Sequence, residues 1–259
     1  MSAPDYRIAE LARCAIREAV DALNDSHAAD GRVFFEKGRD IKLEADLVLN
    51  KELTTRLLDI TGIRCLSEED TGLSDIHKEE SFWIVDPLDG SMNFSRKLPL
   101  YCISVALWRG KGPAIGIIYD IDRQTMYCAL DGKATTNNRI IRIGCLEKPD
   151  RAMLATGFPV LTDFSEKSLH VFTNFSRRFK KVRMLGSAAL SLAWVAEGKL
   201  DAYFERDIML WDVAAGLAIV EAAGGEYLML PGRHPNSFDV LAGNHKLLIA
   251  MRDEVEKFL

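Results

Sequence analysis

The stretch Phe82-Trp-Ile-Val-Asp-Pro-Leu-Asp-Gly-Ser-Met-Asn-Phe94 decides how the rest of the chain is read. Residues 82–85 form an apolar run of aromatic and β-branched side chains, the composition of a buried strand. The run ends on Asp86, and Pro87 removes a backbone donor, which interrupts a regular ladder. Asp89 follows, and Gly90 allows a tight bend or a close approach to a ligand. Ser91 and Asn93 are helix-cap residues, so backbone N–H groups are expected to face the same spot as the two carboxylates. Carboxylates beside such donors suit a divalent cation on the acids, with a phosphate shared between cation and backbone. Taken alone, Asp, Pro and Gly also make an ordinary turn after a strand.

The flanks decide between these readings. Upstream lies Leu66-Ser67-Glu68-Glu69-Asp70, an acidic cluster after a short apolar segment. Downstream, Trp211-Asp212-Val213-Ala214-Ala215-Gly216 opens an apolar helical pattern that ends in Ala223-Gly224-Gly225. These three blocks, in this order, resemble the inositol monophosphatase family. That family belongs to the Mg²⁺-dependent, Li⁺-sensitive phosphatases that include fructose-1,6-bisphosphatase. The resemblance runs from Ile41 to Gly225. A DPLDGS block followed by Asn93-Phe94, with a distant WDVAAG, is far more specific than a glycine-rich loop.

The resemblance implies a five-layer αβαβα sandwich, an α+β fold. It implies two or three Mg²⁺ ions, one held by Glu68, Asp86 and the carbonyl of Leu88, another by Asp86, Asp89 and Asp212. Glu68 taken alone reads as a surface acid, and Asp212 as a first-turn acid favoured by the helix dipole. Glu69 and Asp70 are expected to be solvated. The catalytic set implied is Glu68, Ser91 and Glu52. Ser91 stands where the family has Thr and would hold the attacking water, with Glu52 as orienter behind it. Here the chain departs from the family's Asp-x-Val-Thr-x-x-Asp segment. With Asp46-Leu47-Val48 as its start, Leu49 replaces Thr and Glu52 replaces the second Asp; Glu52 reads equally well as an exposed helix residue. The N–H groups of Gly90 and Ser91 are expected to grip phosphate oxygens. Substrate contacts are expected from Gly186, Ser187, Ala188, Glu205 and Asp212, with Glu205 accepting from substrate hydroxyls. A homodimer is a further implication.

Composition narrows the classes. A chain of 259 residues, 48% hydrophobic and 27% charged, can bury a sizeable core. Its net charge is −5 and it has no Lys/Arg run, so a nucleic-acid partner is not expected. The first ten residues carry no basic segment followed by an apolar one, and no run approaches a membrane span; a cytoplasmic protein is expected. The cysteines at 14, 65, 102, 128 and 145 are scattered, without CxxC, and fit reduced thiols rather than disulfides or zinc.

Periodicity gives the frame. Residues 6–23 carry an i, i+3, i+4, i+7 apolar stripe and predict a helix. A polar loop is expected over 27–40, a helix over 49–60 capped by Gly62, and a strand over 63–66. Residues 71–80 read as a loop. Strands are expected over 101–108, 113–119 and 125–130, with Arg142-Ile143 closing the sheet. Helices are expected over 165–179 and 189–197, strands over 153–156, 180–185 and 200–205, and a closing strand and helix over 247–250 and 252–259. The reading divides the chain into an N-terminal α+β lobe, 1–146, and a C-terminal α/β lobe, 147–259, packed as one unit.

The function expected is Mg²⁺-dependent hydrolysis of a small hydroxylated phosphomonoester, an inositol monophosphate or a sugar phosphate. A 3′(2′),5′-bisphosphate nucleotidase is the enzymatic alternative; Glu205 and the lack of an obvious base-binding patch weigh against it. From another class, a catalytically weak family member acting as a regulatory module is supported only by Leu49 and Glu52.

Overall fold

The computed structural model describes residues 3–69, 81–110 and 112–257. The expected loop over 71–80, Asp70 included, lies outside them. Two helices, α1 (Ala3–Asn24) and α2 (Glu44–Thr61), cover one face of a seven-stranded sheet. Its strands run in chain order: β3 (Cys65–Ser67), β4 (Ser81–Asp89), β5 (Cys102–Arg109), β6 (Gly112–Asp120), β7 (Thr125–Leu130), β8 (Lys133–Thr136) and β9 (Arg139–Ile140). β3 is parallel to β4 and the rest are antiparallel. A hairpin of β1 (Val33–Lys37) and β2 (Asp40–Leu43) precedes α2, and the short helix α3 (Ser91–Ser95) follows β4.

The second sheet has five strands. These are β10 (Met153–Thr156), β11 (Lys181–Arg183), β12 (Ala202–Met209), β13 (Glu226–Pro231) and β14 (Ser237–Gly243), in the order β11-β10-β12-β14-β13. Helices α5 (Ala188–Ala196) and α6 (Leu210–Ala222) lie between the sheets, and α4 (Glu166–Ser176) and α7 (His245–Lys257) cover the far face.

Three apolar cores fill the spaces between these five layers, the αβαβα arrangement expected. β4 shows why its apolar run does not alternate with polar residues. Trp83 and Val85 pack against α1 and α2, while Phe82 and Ile84 face α5 and α6. Both faces of the strand are covered, so both need apolar side chains. The middle helices obey the same rule: in α5 every residue but Trp194 is buried. Leu49, Leu53 and Leu57 of α2 are wholly buried, each contributing about 1.5–3 kcal/mol. Close layer contact requires glycine at two points. A Cβ on Gly116 would lie 2.4 Å from the Ala215 carbonyl of α6, and one on Gly216 2.5 Å from Leu192 of α5.

Several boundaries differ from the sequence reading. The expected loop over 27–40 contains the β1–β2 hairpin; all five β1 residues are exposed, so no alternation announces it. α2 begins at Glu44 instead of 49, because Asp46 Oδ2 accepts the Leu43 N–H at 2.5 Å and caps the first turn. Arg142 and Ile143 are not in the sheet, which β8 and β9 close. The expected strand over 247–250 is the first part of α7: Leu247, Leu248 and Met251 pack at helical spacing, and Asn244 Oδ1 accepts from Leu247 N. β13 and β14 had no counterpart in the sequence reading.

Candidate active site

The site forms where β4 stops being regular. In its pairing with β5, Asp86 faces Ser104 and Asp89 faces Cys102, so three steps on β4 match two on β5. That extra residue is a bulge. In a regular strand residues i and i+3 point to opposite faces. The bulge brings Asp86 and Asp89 to one side, and Pro87, without an N–H, leaves no donor stranded there. Gly90 then turns the chain at φ 95°; a Cβ there would meet the Leu100 carbonyl at 2.7 Å. Asp212 comes from the helix layer between the sheets, at the third position of α6, with Oδ2 accepting from Met209 N at 3.2 Å.

One ligand atom from each of Asp86, Asp89 and Asp212 lies within 4.8 Å of the others. Burial first, then the charges of Glu68, Asp89 and Asp212, pushes the Asp86 carboxyl well above the usual range. Burial and then Asp212, Asp46 and Glu69 do the same to Glu68; burial and then Asp89 and Glu205 do so to Asp212. Asp89 is raised to about 6 by burial, even though Ser187 Oγ (2.6 Å), Ala189 N (2.7 Å) and Ala188 N (3.3 Å) donate to it. Buried carboxylates that repel one another, as these do among the described residues, are a candidate site for a cation. The donors are all oxygen, which fits a hard divalent ion such as Mg²⁺.

Ser91 opens α3 with its Oγ 2.9 Å from Asp46 Oδ1 and 2.9 Å from the Leu88 carbonyl. Asp46 is 2% exposed and burial raises it to about 6, against the hydrogen bonds from Leu43 and Ser91. Glu52 is elsewhere: it pairs with Arg56 at 3.0 Å, one helical turn on, and Arg56 also reaches Glu18 at 2.7 Å. The residue behind Ser91 is therefore Asp46. The signal was present in the sequence: Asp40 and Asp46 have the six-residue spacing of Asp-x-Val-Thr-x-x-Asp, with Leu43 at the Thr place. The segment starts at Asp40, six positions before Asp46.

Ser187 and Ala188 spend their hydroxyl and N–H on Asp89, so they hold an acid of the cation site. Gly186, Ser187 and Ala188 nonetheless line a cleft of about 480 Å³ together with Glu68, Asp86, Leu88, Asp89, Gly90, Ser91, Glu205 and Asp212. Glu205 is 7% exposed, and burial, then Asp89, raises it to about 8. Glu69 is not solvated: it forms a 2.8 Å ion pair with Lys42, and its side chain is 7% exposed. Asn93, expected only as a cap, ties the two halves of the site. Its Nδ2 donates to the carbonyls of Leu100 and Leu185, both at 2.8 Å.

No helix among the described residues is long and apolar enough to cross a membrane. A model of the inositol monophosphatase family matches residues 2–257. The Nus factor SuhB of Xylella fastidiosa is 36% identical over 226 residues, 83% of this chain and 80% of its own length. An inositol-1-monophosphatase of Synechocystis is 36% identical over 199 residues, 73% of this chain and 68% of its own. The crystal structure of the extragenic suppressor protein SuhB from Bartonella henselae superposes with a TM-score of 0.84 at 26% identity, covering 98% of this chain and 100% of that one. That of an Anabaena inositol monophosphatase gives 0.79 at 26% identity, covering 97% and 96%. A family match over nearly the whole chain, with the family's acidic blocks converging on one cleft, shows that the chain belongs to the inositol monophosphatase family.

Proposed function

We propose that the chain is a Mg²⁺-dependent phosphatase that hydrolyses a small hydroxylated phosphomonoester, an inositol monophosphate or a sugar phosphate. The convergence of Glu68, Asp86, Asp89 and Asp212 beside the Ser91–Asp46 pair carries this reading. Glu68, Asp86, Asp89, Asp212 and the Leu88 carbonyl are the oxygens that would hold the ions. Bound Mg²⁺ supplies the charge that stabilises the attacking and leaving oxygens and lowers the pKa of water.

The protein's own groups do the rest. With its proton directed to Asp46, Ser91 Oγ offers a lone pair to an O–H of the attacking water and so aims the water's oxygen. As that oxygen bonds to phosphorus and the ester P–O bond breaks, its proton passes to Ser91 Oγ and the Ser91 proton to Asp46, while the departing alkoxide takes a proton from solvent water. A carboxyl raised to about 6 suits a base working near neutral pH. The N–H groups of Gly90 and Ser91 grip phosphate oxygens. Glu205, raised to about 8, holds a proton at neutral pH and can both donate to and accept from substrate hydroxyls. The active unit is a homodimer, for which a dimer mass in light scattering is the check.

One observation favours a second reading. A relative 36% identical is named a Nus factor, so this chain could serve as a regulatory module. The intact set of acids and the Ser91–Asp46 pair weigh toward the enzyme. A panel of inositol, sugar and 3′,5′-bisphosphate nucleotide esters, assayed for phosphate release with excess Mg²⁺, separates these two readings from each other and from a nucleotidase. Release from none of them would remove the phosphatase.

A further inference from the structure

β12 carries a feature that neither the cation site nor the substrate contact uses. Glu205 pairs with Val240 of β14 and Ile208 with Phe238, so β12 has one residue too many between them. Asp207 absorbs the extra residue at φ 55°, in the left-handed region that glycine enters most freely. Its side chain is 1% exposed. A buried carboxylate on a strained backbone needs compensation, and Arg233 supplies it from the turn between β13 and β14. The Arg233 Nε and Nη2 donate to Asp207 Oδ2 at 2.9 and 2.6 Å, and the Arg233 N–H to Oδ1 at 2.7 Å. The Asp207 N–H is satisfied in turn by Asp239 Oδ1 at 2.9 Å.

The Arg233 guanidinium has a second reach. Its Nη1 lies 3.2 Å from Asp163, which accepts from the Ser165 N–H and Oγ where α4 begins. The same turn also receives the Leu210 N–H on the Asn236 carbonyl at 2.9 Å, at the first residue of α6. One turn thus supports the chain between Glu205 and Asp212 and touches the segment 157–163, part of which walls the cleft.

We propose that Arg233 is a positioning residue for Glu205: by closing on Asp207 it fixes the β12 bulge that begins just after Glu205, and so anchors the end of the regular strand that presents Glu205 to the cleft. Its contact with Asp163 sets the opposing wall. The selectivity half of this inference rests on the phosphatase reading; the clamp itself does not. The Arg233 side chain bonds Asp207 and Asp163, whereas Asp212 accepts from the Met209 N–H at the start of α6.

The test compares wild type, Arg233→Ala, Asp207→Gly and the double variant, each melted with Mg²⁺ present and assayed on inositol 1-phosphate and on 4-nitrophenyl phosphate. Arg233→Ala removes the guanidinium from a buried carboxylate, leaving it the residue-233 N–H, and should lower Tm by about 5 °C or more. In the Asp207→Gly background the same change should lower Tm by under about 2 °C, since no carboxylate remains and glycine adopts the φ freely. Arg233→Ala should raise KM for inositol 1-phosphate about tenfold and leave both constants for the aryl phosphate within about twofold. Equal Tm losses in the two backgrounds would overturn the clamp. Equal KM losses on the two substrates would overturn the positioning role. A wild type that hydrolyses neither substrate would overturn the proposed function, and the melting comparison would still decide the clamp.

Discussion

Ser91 Oγ lies 2.9 Å from Asp46 Oδ1, while Glu52 is engaged by Arg56 at 3.0 Å. If the Ser91 proton goes to Asp46, its lone pair is offered to a water, the role proposed for it. Asp46→Asn should lower kcat by about 10²–10³-fold with KM little changed, and Ser91→Ala should do the same. Glu52→Gln should leave both constants unaltered. Steady-state kinetics on the three variants check this; a loss confined to Glu52→Gln would reverse the assignment.

The acids also make the metal-free protein sensitive to pH. Asp46 and Asp89 are raised to about 6 and Glu205 to about 8, each by burial first. A carboxyl raised by folding stabilises the folded state most below its unfolded pKa, near 4, and that contribution is lost as pH rises through the folded value. In EDTA, Tm should therefore fall between about pH 5 and pH 8. Added Mg²⁺ should restore more at pH 8 than at pH 5, because the ion binds the charged form. A Tm in EDTA that climbs steadily with pH would contradict this.

The same repulsion sets the behaviour of Asp86→Asn. It should reduce turnover by at least about 10³-fold, since several kcal/mol of transition-state stabilisation are lost. Without metal it should melt at or above the wild-type temperature, by about 2–4 °C for each kcal/mol of repulsion relieved. Differential scanning calorimetry in EDTA reads the second effect. A variant that unfolds well below wild type would mean Asp86 supports the fold.

The layered fold was legible because each layer writes its own period. Phe82 to Val85 is apolar without alternation because α1, α2, α5 and α6 cover both faces. The ends of elements were less legible. α2 begins five residues before its apolar stripe suggests, and that start hides Asp46 inside the helix instead of before it. The acids of the site could be named from their blocks, but the bulge that puts Asp86 and Asp89 on one side follows from pairing with β5, which no local pattern records. Asp207 stands in β12 and Arg233 in the turn between β13 and β14, and they meet only through the β12–β14 register.

Glu205 should govern which ester is accepted. A hydrogen bond from such a group is worth about 1–3 kcal/mol, so Glu205→Ala should cost roughly 10- to 100-fold in kcat/KM on the best polyol phosphate. An aryl phosphate without those hydroxyls should lose little. Glu205→Gln, which mimics the protonated acid, should retain more than Glu205→Ala. Equal losses on both substrates would move Glu205 to the support of the fold or the cation site.

Phosphate release as Mg²⁺ is titrated into EDTA-treated protein tests the central claim most directly. Inositol 1-phosphate is the substrate, and Li⁺ is added in a parallel series. Release should be absent without Mg²⁺, rise to saturation as the ion is added, and fall again with Li⁺. Release at the full rate in excess EDTA would contradict the account.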